Sequence, residues 1–321
     1  MQTRPDLNQI IARVPQWAGQ NDIQTSFLDG GLTNQNVRVH VAGESFVLRL
    51  AGENTELLGI DRQQEFVAHS AAASIGIAPE VVYFIEPEGY LVTRFVNGRS
   101  PTLTEIKQPN TIHQIAQLLK QVHALPSISA TFSAFDTVRN YEQIARQHNV
   151  TFPAQFDSWL DKMREIETAL ASSRRRAVSP LASPAFCHND LLNGNFLMDN
   201  GSPPRRSGGR IFLLDWEYAG MGDVYFDLAN FAAHHEFNEE QESQLLDAYF
   251  GNVVSTQHAY LKLMKIMSDF REAMWAMVQI SISQLDVDFR DYANQHFDRM
   301  ANNMYHPAYQ QWIINAKQEG K

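Results

Sequence analysis

The sequence predicts an α+β protein with a small β-rich first domain and a larger, mainly helical second domain. Short runs in which apolar and polar residues alternate dominate the first 96 residues and surround a single helix. From about residue 105 onward, apolar residues recur at helical spacing in several long segments. We therefore divide the chain into a first domain of residues 1–96 and a second domain of residues 97–321.

The first domain is predicted to contain a hairpin, a helix and two further strands. Apolar and polar residues alternate through residues 35–50 on both sides of a turn at Gly43. Residues 61–74 have the pattern of a helix that is closed by Gly76 and Pro79. Two apolar runs follow, VVYFI and YLVTRFV, separated by a Glu-Pro-Glu-Gly turn. The predicted order of elements is β-β-α-β-β.

The second domain is predicted to consist of helices around a short β-rich insert. Apolar residues at helical spacing indicate one helix over residues 112–122, and residues 260–285 form a long periodic segment. A third helix, residues 238–250, opens with Asn238 as its N-cap, because an Asn side chain can accept a hydrogen bond from the first turn. The two apolar strands of the insert, joined by a polar loop expected at the surface, are residues 196–198 and 211–214.

Composition excludes some classes of function. The net charge of −10 argues against nucleic acid as the main partner, because phosphate backbones need clustered Lys and Arg, and it is compatible with a cationic substrate. With Cys187 as its one cysteine, the chain cannot form an intrachain disulfide, which fits a reducing cytosol. No signal-peptide pattern and no run near the ~18 apolar residues of a membrane span is present. We therefore expect a cytoplasmic protein without membrane insertion.

One stretch carries the pattern of a phosphoryl-transfer site. His188, Asp190 and Asn195 fit H-x-D-x-x-x-x-N, and Asp215 ends an apolar strand 25 residues after Asp190. Phosphoryl transfer needs a carboxylate that orients the attacking hydroxyl and accepts its proton, together with oxygen ligands for Mg²⁺. We assign the catalytic role to Asp190 and the metal role to Asn195 and Asp215. Either aspartate alone would be read as a turn residue at a strand end, but their joint occurrence at this spacing favours catalysis.

These motifs, CHNDLLNGNFLMDN and IFLLDWEYAGMGDVYFDLANF, resemble the bacterial branch of the choline/ethanolamine kinase family, within the aminoglycoside-phosphotransferase-like and protein-kinase-like superfamily. The resemblance implies a protein-kinase-like two-lobed fold, with a small β-rich N-lobe and a larger, mainly helical C-lobe. His-Asn-Asp replaces the His-Arg-Asp of protein kinases, Asp-Trp-Glu replaces Asp-Phe-Gly, and no Ala-Pro-Glu segment is found. These departures indicate a small-molecule acceptor rather than a protein.

The first lobe is expected to bind ATP. By resemblance, a glycine-containing turn covers the phosphates, and a Walker A motif is absent. The residues of this turn are Gly30, Gly31, Thr33 and Asn34. Arg49 stands where kinases keep the lysine that contacts the α- and β-phosphates, and Glu65 is the expected acidic partner on the helix. Phe95 and Val96 would form the hinge whose backbone meets adenine.

Other residues near the motif are expected to be structural. We expect His188 to hold the catalytic loop, and the resemblance implies that Asp227 braces the loop from below. Glu217 belongs to the family signature and is grouped with the substrate-binding residues, although the residues themselves assign it no step. His234 and His235 are not expected to share a metal ion, because adjacent helical side chains point about 100° apart.

The acceptor site is expected in the long C-terminal helical segment. The family's aromatic residues in this region cage a quaternary ammonium by cation–π attraction, and Trp275 and Tyr292 match two of them. Glu272 stands where the family often has a further Trp. A carboxylate can balance a quaternary cation, but it suits a primary amine equally well.

The sequence therefore predicts an ATP- and Mg²⁺-dependent kinase of a small cationic amino alcohol, with choline as the first candidate and ethanolamine as the second. Aminoglycoside or thiamine phosphorylation on the same scaffold are alternatives. A catalytically inactive nucleotide-binding or regulatory module is a different class, and the intact Asp190, Asn195 and Asp215 argue against it. The sequence makes no prediction of oligomeric state.

Overall fold

The N-terminal part of the molecule is built on a five-stranded antiparallel sheet. In the computed structural model, the described residues are 6–28, 34–174, 183–199 and 210–318. A short helix, α1 (Leu7–Ile11), precedes the sheet. The strands lie in the order β1-β2-β3-β5-β4. Their bounds are Gln24–Leu28 for β1, Gln35–Val41 for β2, Glu44–Leu50 for β3, Val81–Ile85 for β4 and Tyr90–Arg94 for β5.

The predicted hairpin and helix of the first lobe are confirmed, and one strand was missed. Helix α2 (Arg62–Ser74) begins after Asp61, whose side chain accepts hydrogen bonds from the backbone N–H groups of Gln63 and Gln64. Strand β1 pairs antiparallel with β2 at the edge of the sheet. The first four of its five residues are exposed, so the strand lacks the apolar alternation from which strands are predicted.

The larger lobe is mainly helical. Asn238 is the N-cap of α8 (Glu239–Phe250) as predicted, and its side chain accepts a hydrogen bond from the backbone of Gln241. The long helix α9 (Ser255–Ile282) begins five residues earlier and ends three residues earlier than predicted. The helices are α3 (Leu103–Ile106), α4 (Pro109–His123), α5 (Ala134–Gln147), α6 (Phe156–Arg174), α7 (Val224–His234), α8 (Glu239–Phe250), α9 (Ser255–Ile282), α10 (Phe289–Met304) and α11 (Tyr309–Lys317).

Two small sheets hold the β-rich insert of this lobe. Strand β8 (Phe196–Asp199) lies between β6 (Gly98–Arg99) and β9 (Ile211–Leu213), all antiparallel. Strands β7 (Ala185–Cys187) and β10 (Gly220–Gly222) form a second antiparallel pair. The predicted strands at 196–198 and 211–214 are thus confirmed. The loop between β7 and β8 contains the His-x-Asp motif.

The apolar interior consists of two clusters of buried residues. The smaller cluster is formed by inward-facing residues of the five-stranded sheet, together with α1 and Trp17. The larger cluster fills the helical lobe, and it also includes Leu58 and the α2 residues Ala68 and Ala72. Helix α2 therefore packs with the core of the helical lobe, although the chain places it between strands of the sheet.

Helix α9 is the central helix of the larger lobe, and it packs against α5, α7, α10 and α11. Within the described ranges, none of the helices combines the length and the apolar character needed to cross a membrane.

Candidate active site

The catalytic loop is fixed from below by one buried carboxylate. Asp227, at the start of α7, is 0% exposed. Its two oxygens accept hydrogen bonds from the backbone N–H groups of His188, at 2.8 Å, and Asn189, at 2.7 Å. The ring of His123 lies 3.0 Å from the same carboxylate. Asn189 has a φ of 65°, so the loop turns sharply here. These hydrogen bonds agree with the expectation that Asp227 supports the catalytic loop from below.

His188 joins the catalytic loop to the segment that ends at Asp215. Its Nε2 donates to the carbonyl oxygen of Leu214 at 2.9 Å, and its ring packs against Trp216. The side chain is buried, and its Nδ1 lies 3.3 Å from the backbone nitrogen of Asp190. These contacts agree with a structural role for His188.

The three residues of the predicted phosphoryl-transfer motif meet in one cleft. Asp190, Asn195 and Asp215 all line a cavity of about 720 Å³ between the lobes. The Asn195 Nδ2 donates to the Asp190 carbonyl oxygen at 2.8 Å and to Asp190 Oδ2 at 3.2 Å. Asp215 has a φ of 60°, and its Oδ1 accepts a hydrogen bond from Arg49 at 2.6 Å. The sequence motif therefore corresponds to a real cluster of side chains.

The donor atoms of this cluster suit a hard cation. Both hydrogen bonds of Asn195 use its nitrogen, which leaves the amide oxygen to bind an ion. Asp215 pairs with Arg49 through Oδ1, which leaves Oδ2. Amide and carboxylate oxygens are ligands that Mg²⁺ accepts. Asn195 and Asp215 are thus suited to the metal role predicted for them.

At the end of the cleft where the nucleotide is expected, charges from the N-lobe meet Asp215. Arg49 lies on β3 and forms ion pairs with Glu65 of α2 and with Asp215. The predicted pair of Arg49 with Glu65 is therefore formed. Arg62, which the sequence did not single out, binds Glu65 at 2.8 Å and Glu217 at 3.1 Å. Arg62 could have been found from the sequence, because it lies three residues before Glu65 and therefore on the same face of α2.

Asn34 and Glu217 bind each other and the N-lobe. The Asn34 Nδ2 donates to Glu217 Oε2 at 2.9 Å, and the Asn34 Oδ1 accepts from Arg62 at 2.9 Å. Burial, and then the charge of Asp215, raises the pKa of Glu217 to about 7, against the opposing charge of Arg62. The phosphate contact predicted for Asn34 and the substrate contact predicted for Glu217 stay predictions. Gly30, Gly31 and Thr33 lie outside the described residues.

The predicted hinge residues line the same cleft. Phe95 and Val96 follow the end of β5 and face the cavity. The Phe95 N–H donates to the carbonyl oxygen of Ser45 at 3.0 Å. This bond makes the backbone of Val96 the better candidate for hydrogen bonds to an adenine ring.

At the end of the cleft where the acceptor is expected, two aromatic rings form a corner. The centroids of the Trp275 and Tyr292 rings are 5.9 Å apart, with the planes inclined by 64°. Rings packed edge to face leave no space for an ammonium group between them, so they form adjoining walls rather than opposite sides of a cage. Both rings and Glu272 line the cleft, and the Tyr292 hydroxyl donates to Glu272 Oε2 at 3.2 Å.

A buried arginine lies beside Glu272. Arg271 is 1% exposed, and its guanidinium binds both Glu272 and Asp190. Burial alone would raise the pKa of Glu272, but the charge of Arg271, helped by His234, lowers it below its usual range. Burial likewise raises the pKa of Asp190, and Arg271 opposes that shift only in part. Glu272 is therefore an ionised carboxylate with a resident counter-ion.

Sequence reasoning assigned no role to Arg271. At helical spacing, Arg271 shares a polar face of α9 with Ser268, Glu272, Trp275 and Gln279. The structure buries every member of this face. Buried charges are costly unless they are paired. Adjacent opposite charges at Arg271 and Glu272, within a long and largely apolar segment, were the signal that could have identified Arg271.

This chain belongs to the phosphotransferase enzyme family, whose model matches residues 24–261. It is 26% identical to Protein LicA of Haemophilus influenzae over 84% of the chain and 76% of that protein. It is 27% identical to human ethanolamine kinase 2 over 88% of the chain and 77% of that protein. Among solved structures, a choline/ethanolamine kinase family protein from Mesorhizobium loti matches with a TM-score of 0.78 and 28% identity, over 96% and 97% of the two chains.

These likenesses confirm the resemblance found in the motifs. The protein is a small-molecule kinase of the choline/ethanolamine kinase type, with ATP as the co-substrate that the family uses and a two-lobed kinase-like fold. At this level of identity, the relatives do not distinguish choline from ethanolamine as the acceptor.

Proposed function

We propose that the protein transfers the γ-phosphoryl group of ATP, with Mg²⁺, to the hydroxyl of a small amino alcohol, with choline as the first candidate. The observation that carries this proposal is the cleft itself. Asp190, Asn195 and Asp215 lie at its centre, charges that suit a nucleotide lie at one end, and an aromatic corner lies at the other. We further propose that the enzyme works in the cytoplasm, where ATP is available.

Asp190 is the group that receives the acceptor. Its side chain lines the cleft, and hydrogen bonds from Arg271 and Asn195 hold one oxygen each. A carboxylate held in this way can accept a hydrogen bond from the acceptor hydroxyl and then its proton. The hydroxyl oxygen forms the new P–O bond as the bond between the γ-phosphorus and the β,γ-bridging oxygen breaks, and ADP leaves with the bridging oxygen.

Asn195 and Asp215 would hold the metal. A bound Mg²⁺ supplies positive charge to the β- and γ-phosphates. Arg49, fixed by Glu65, adds a guanidinium at the same end of the cleft, where its planar fork can bind phosphate oxygens.

The corner of Trp275 and Tyr292 supports choline. A trimethylammonium group offers no N–H donor, and aromatic faces attract it by cation–π interaction. Glu272 supports ethanolamine as a second candidate, because a primary ammonium donates charge-assisted hydrogen bonds to a carboxylate. Its oxygens already accept from Arg271 and Tyr292, so an ethanolamine ammonium would share Glu272 with these two partners.

The test is ATP turnover with Mg²⁺ over a panel of choline, ethanolamine, thiamine and an aminoglycoside. We expect the highest kcat/KM for choline or ethanolamine. Asp190→Asn is the matched control, because it keeps size and polarity while removing the base. It should lower kcat by ~10²-fold or more with ATP binding largely intact. A variant that keeps more than a tenth of the kcat would remove Asp190 from this role.

A further inference from the structure

Arg271 of α9 contacts the catalytic loop, although it lies 81 residues after Asp190 in the chain. Its Nη1 donates to Asp190 Oδ1 at 3.1 Å and also binds Glu272. Its Nη2 donates to the carbonyl oxygen of Asn189 at 3.2 Å. The guanidinium also packs over the ring of Tyr218, with 4.4 Å between the guanidinium carbon and the ring centroid. One side chain thus binds both the side chain and the backbone of the catalytic loop.

The catalytic loop itself has no Lys or Arg. The sequence from 188 to 195 is HNDLLNGN, so no Lys or Arg of the loop can neutralise or orient Asp190. Arg271 supplies that charge from α9, and its planar fork can bind Asp190 and the adjacent carbonyl oxygen together. A fully buried guanidinium is costly to desolvate, and these contacts offset the cost.

We propose that Arg271 is a positioning residue for the phosphoryl transfer. It fixes Asp190 so that the carboxylate faces the acceptor hydroxyl, and it keeps the neighbouring Glu272 from repelling Asp190. This inference rests on the proposed role of Asp190. Through Arg271, the helix that carries the acceptor walls Glu272 and Trp275 also holds the catalytic carboxylate.

A purely structural role would be to neutralise Glu272 inside the protein. Two variants separate the roles, each measured with saturating Mg·ATP and saturating ethanolamine or choline. Arg271→Met removes both the loop contacts and the partner of Glu272. Arg271→Met with Glu272→Gln still lacks the loop contacts, but it no longer leaves a buried carboxylate unpaired. Glu272→Gln alone is the fourth protein of this double-mutant cycle, and it shows how much of any change is due to Glu272 itself.

We expect Arg271→Met to lower kcat by about 10²-fold, with KM for ATP changed less than threefold, and to lower the melting temperature. In the double variant, the melting temperature should recover while kcat stays about as low. If kcat recovers together with the melting temperature, Arg271 serves only to neutralise Glu272 and the proposal is overturned.

Arg271→Lys keeps the test valid if Arg271→Met does not fold. A lysine can neutralise Glu272, but its single ammonium cannot reproduce the planar fork that binds Asp190 and the Asn189 carbonyl oxygen. We expect about a tenfold loss of kcat with a nearly unchanged melting temperature, and an unchanged kcat would overturn the proposal. Lys265→Met is the control. Lys265 lies on the same helix as Arg271 and pairs with the buried Glu242 of α8, away from the catalytic loop, so its removal should leave kcat unchanged.

The proposed function can fail separately from this inference. If Asp190→Asn keeps most of the wild-type kcat, the assignment of Asp190 as base is wrong and Arg271 cannot act through it. If Asp190→Asn is inactive but the Arg271 variants retain wild-type kcat, the proposed function stands and the positioning role is overturned.

Discussion

Two of the arginines that line the cleft, Arg49 and Arg271, bind the aspartates of the motif, and they have the same kinds of partner. At the nucleotide end, Arg49 pairs with Glu65 and with Asp215. At the acceptor end, Arg271 pairs with Glu272 and with Asp190. Each arginine therefore joins a supporting glutamate to one of the two aspartates of the motif.

The surroundings of the two arginines differ. The side chains of Arg49 and Asp215 are 12% and 30% exposed, whereas those of Arg271 and Asp190 are 2% and 9% exposed. Arg49 also connects two lobes, while Arg271 and its partners lie within one. Water and a metal ion can therefore compete for Asp215, whereas Asp190 is held in a fixed setting. The nucleotide end is therefore suited to binding and releasing a metal ion at Asp215, whereas the acceptor end is suited to keeping the Asp190 carboxylate in one orientation.

The largest effect is expected at the metal position. Asp215→Ala should abolish activity and sharply raise the Mg²⁺ concentration needed for any residual turnover, because a hard cation loses its charged ligand. Asn195→Ala should be milder, because it removes a neutral amide. Titration of activity with Mg²⁺ measures both. If the activity of Asp215→Ala depends on Mg²⁺ concentration in the same way as that of the wild type, Asp215 is not the metal ligand and the proposed difference between Asp215 and Asp190 is wrong.

One variant at each end of the cleft should affect the KM of a different substrate. Trp275→Ala should raise KM for choline ~5- to 30-fold, from roughly 1–2 kcal/mol of cation–π attraction, and leave KM for ATP nearly unchanged. Arg49→Met should do the reverse, because it acts on the phosphates. Steady-state kinetics with each substrate varied in turn measures this separation. The comparison fails if both variants change both KM values equally.

Glu272→Gln is the companion variant at the acceptor end. If a primary amine is the true acceptor, the change should harm ethanolamine turnover more than choline turnover, because only ethanolamine donates hydrogen bonds to the carboxylate. An unchanged KM for choline in Trp275→Ala, together with a large loss for another amine in Glu272→Gln, would defeat the choline assignment. The kinase assignment would survive.

A separate effect, on stability rather than on catalysis, is expected at acidic pH. His69 of α2 is buried, its Nε2 donates to the Pro79 carbonyl oxygen at 2.9 Å, and burial lowers its pKa to about 4. The unfolded chain binds this proton near pH 6.5, before the folded protein does. The contribution to the free energy of unfolding is therefore complete above pH 6.5 and lost as pH falls from 6.5 to 4, by on the order of 3 kcal/mol.

Denaturant unfolding between pH 4 and 7 measures this contribution. His69→Gln keeps a donor for the Pro79 carbonyl oxygen but does not titrate, so its unfolding free energy should fall less steeply with acid than that of the wild type. Equal slopes for the two proteins would exclude His69 as the cause.

The sequence predicted those parts of the site whose residues are close together in the chain. Asp190 and Asn195 lie on one loop, and a strand carries the chain to Asp215, so residue spacing determines their meeting. Arg271 could not be assigned, because nothing in its local pattern shows that α9 passes the catalytic loop. The aromatic corner was predicted by residue type, but the angle between the rings depends on how α9 and α10 pack.

The same division holds for the fold. Strands with one buried face, such as those of the 35–50 hairpin, show alternation and were predicted. Strand β1 is mostly exposed, and the three-residue strands β7 and β10 are too short to show a period. Local sequence therefore specified the elements that bury an apolar face, while edges and short pairings depend on the assembled structure.

The packing of α2 joins the two lobes. Ala68 and Ala72 belong to the core of the helical lobe, while Phe66 of the same helix stacks on Phe84 of β4, with 4.6 Å between the ring centroids. The ion pair of Arg49 with Glu65 adds a contact between β3 and α2. Because α2 is bound on both sides, we expect the sheet and the helical lobe to unfold in a single transition, which calorimetry measures.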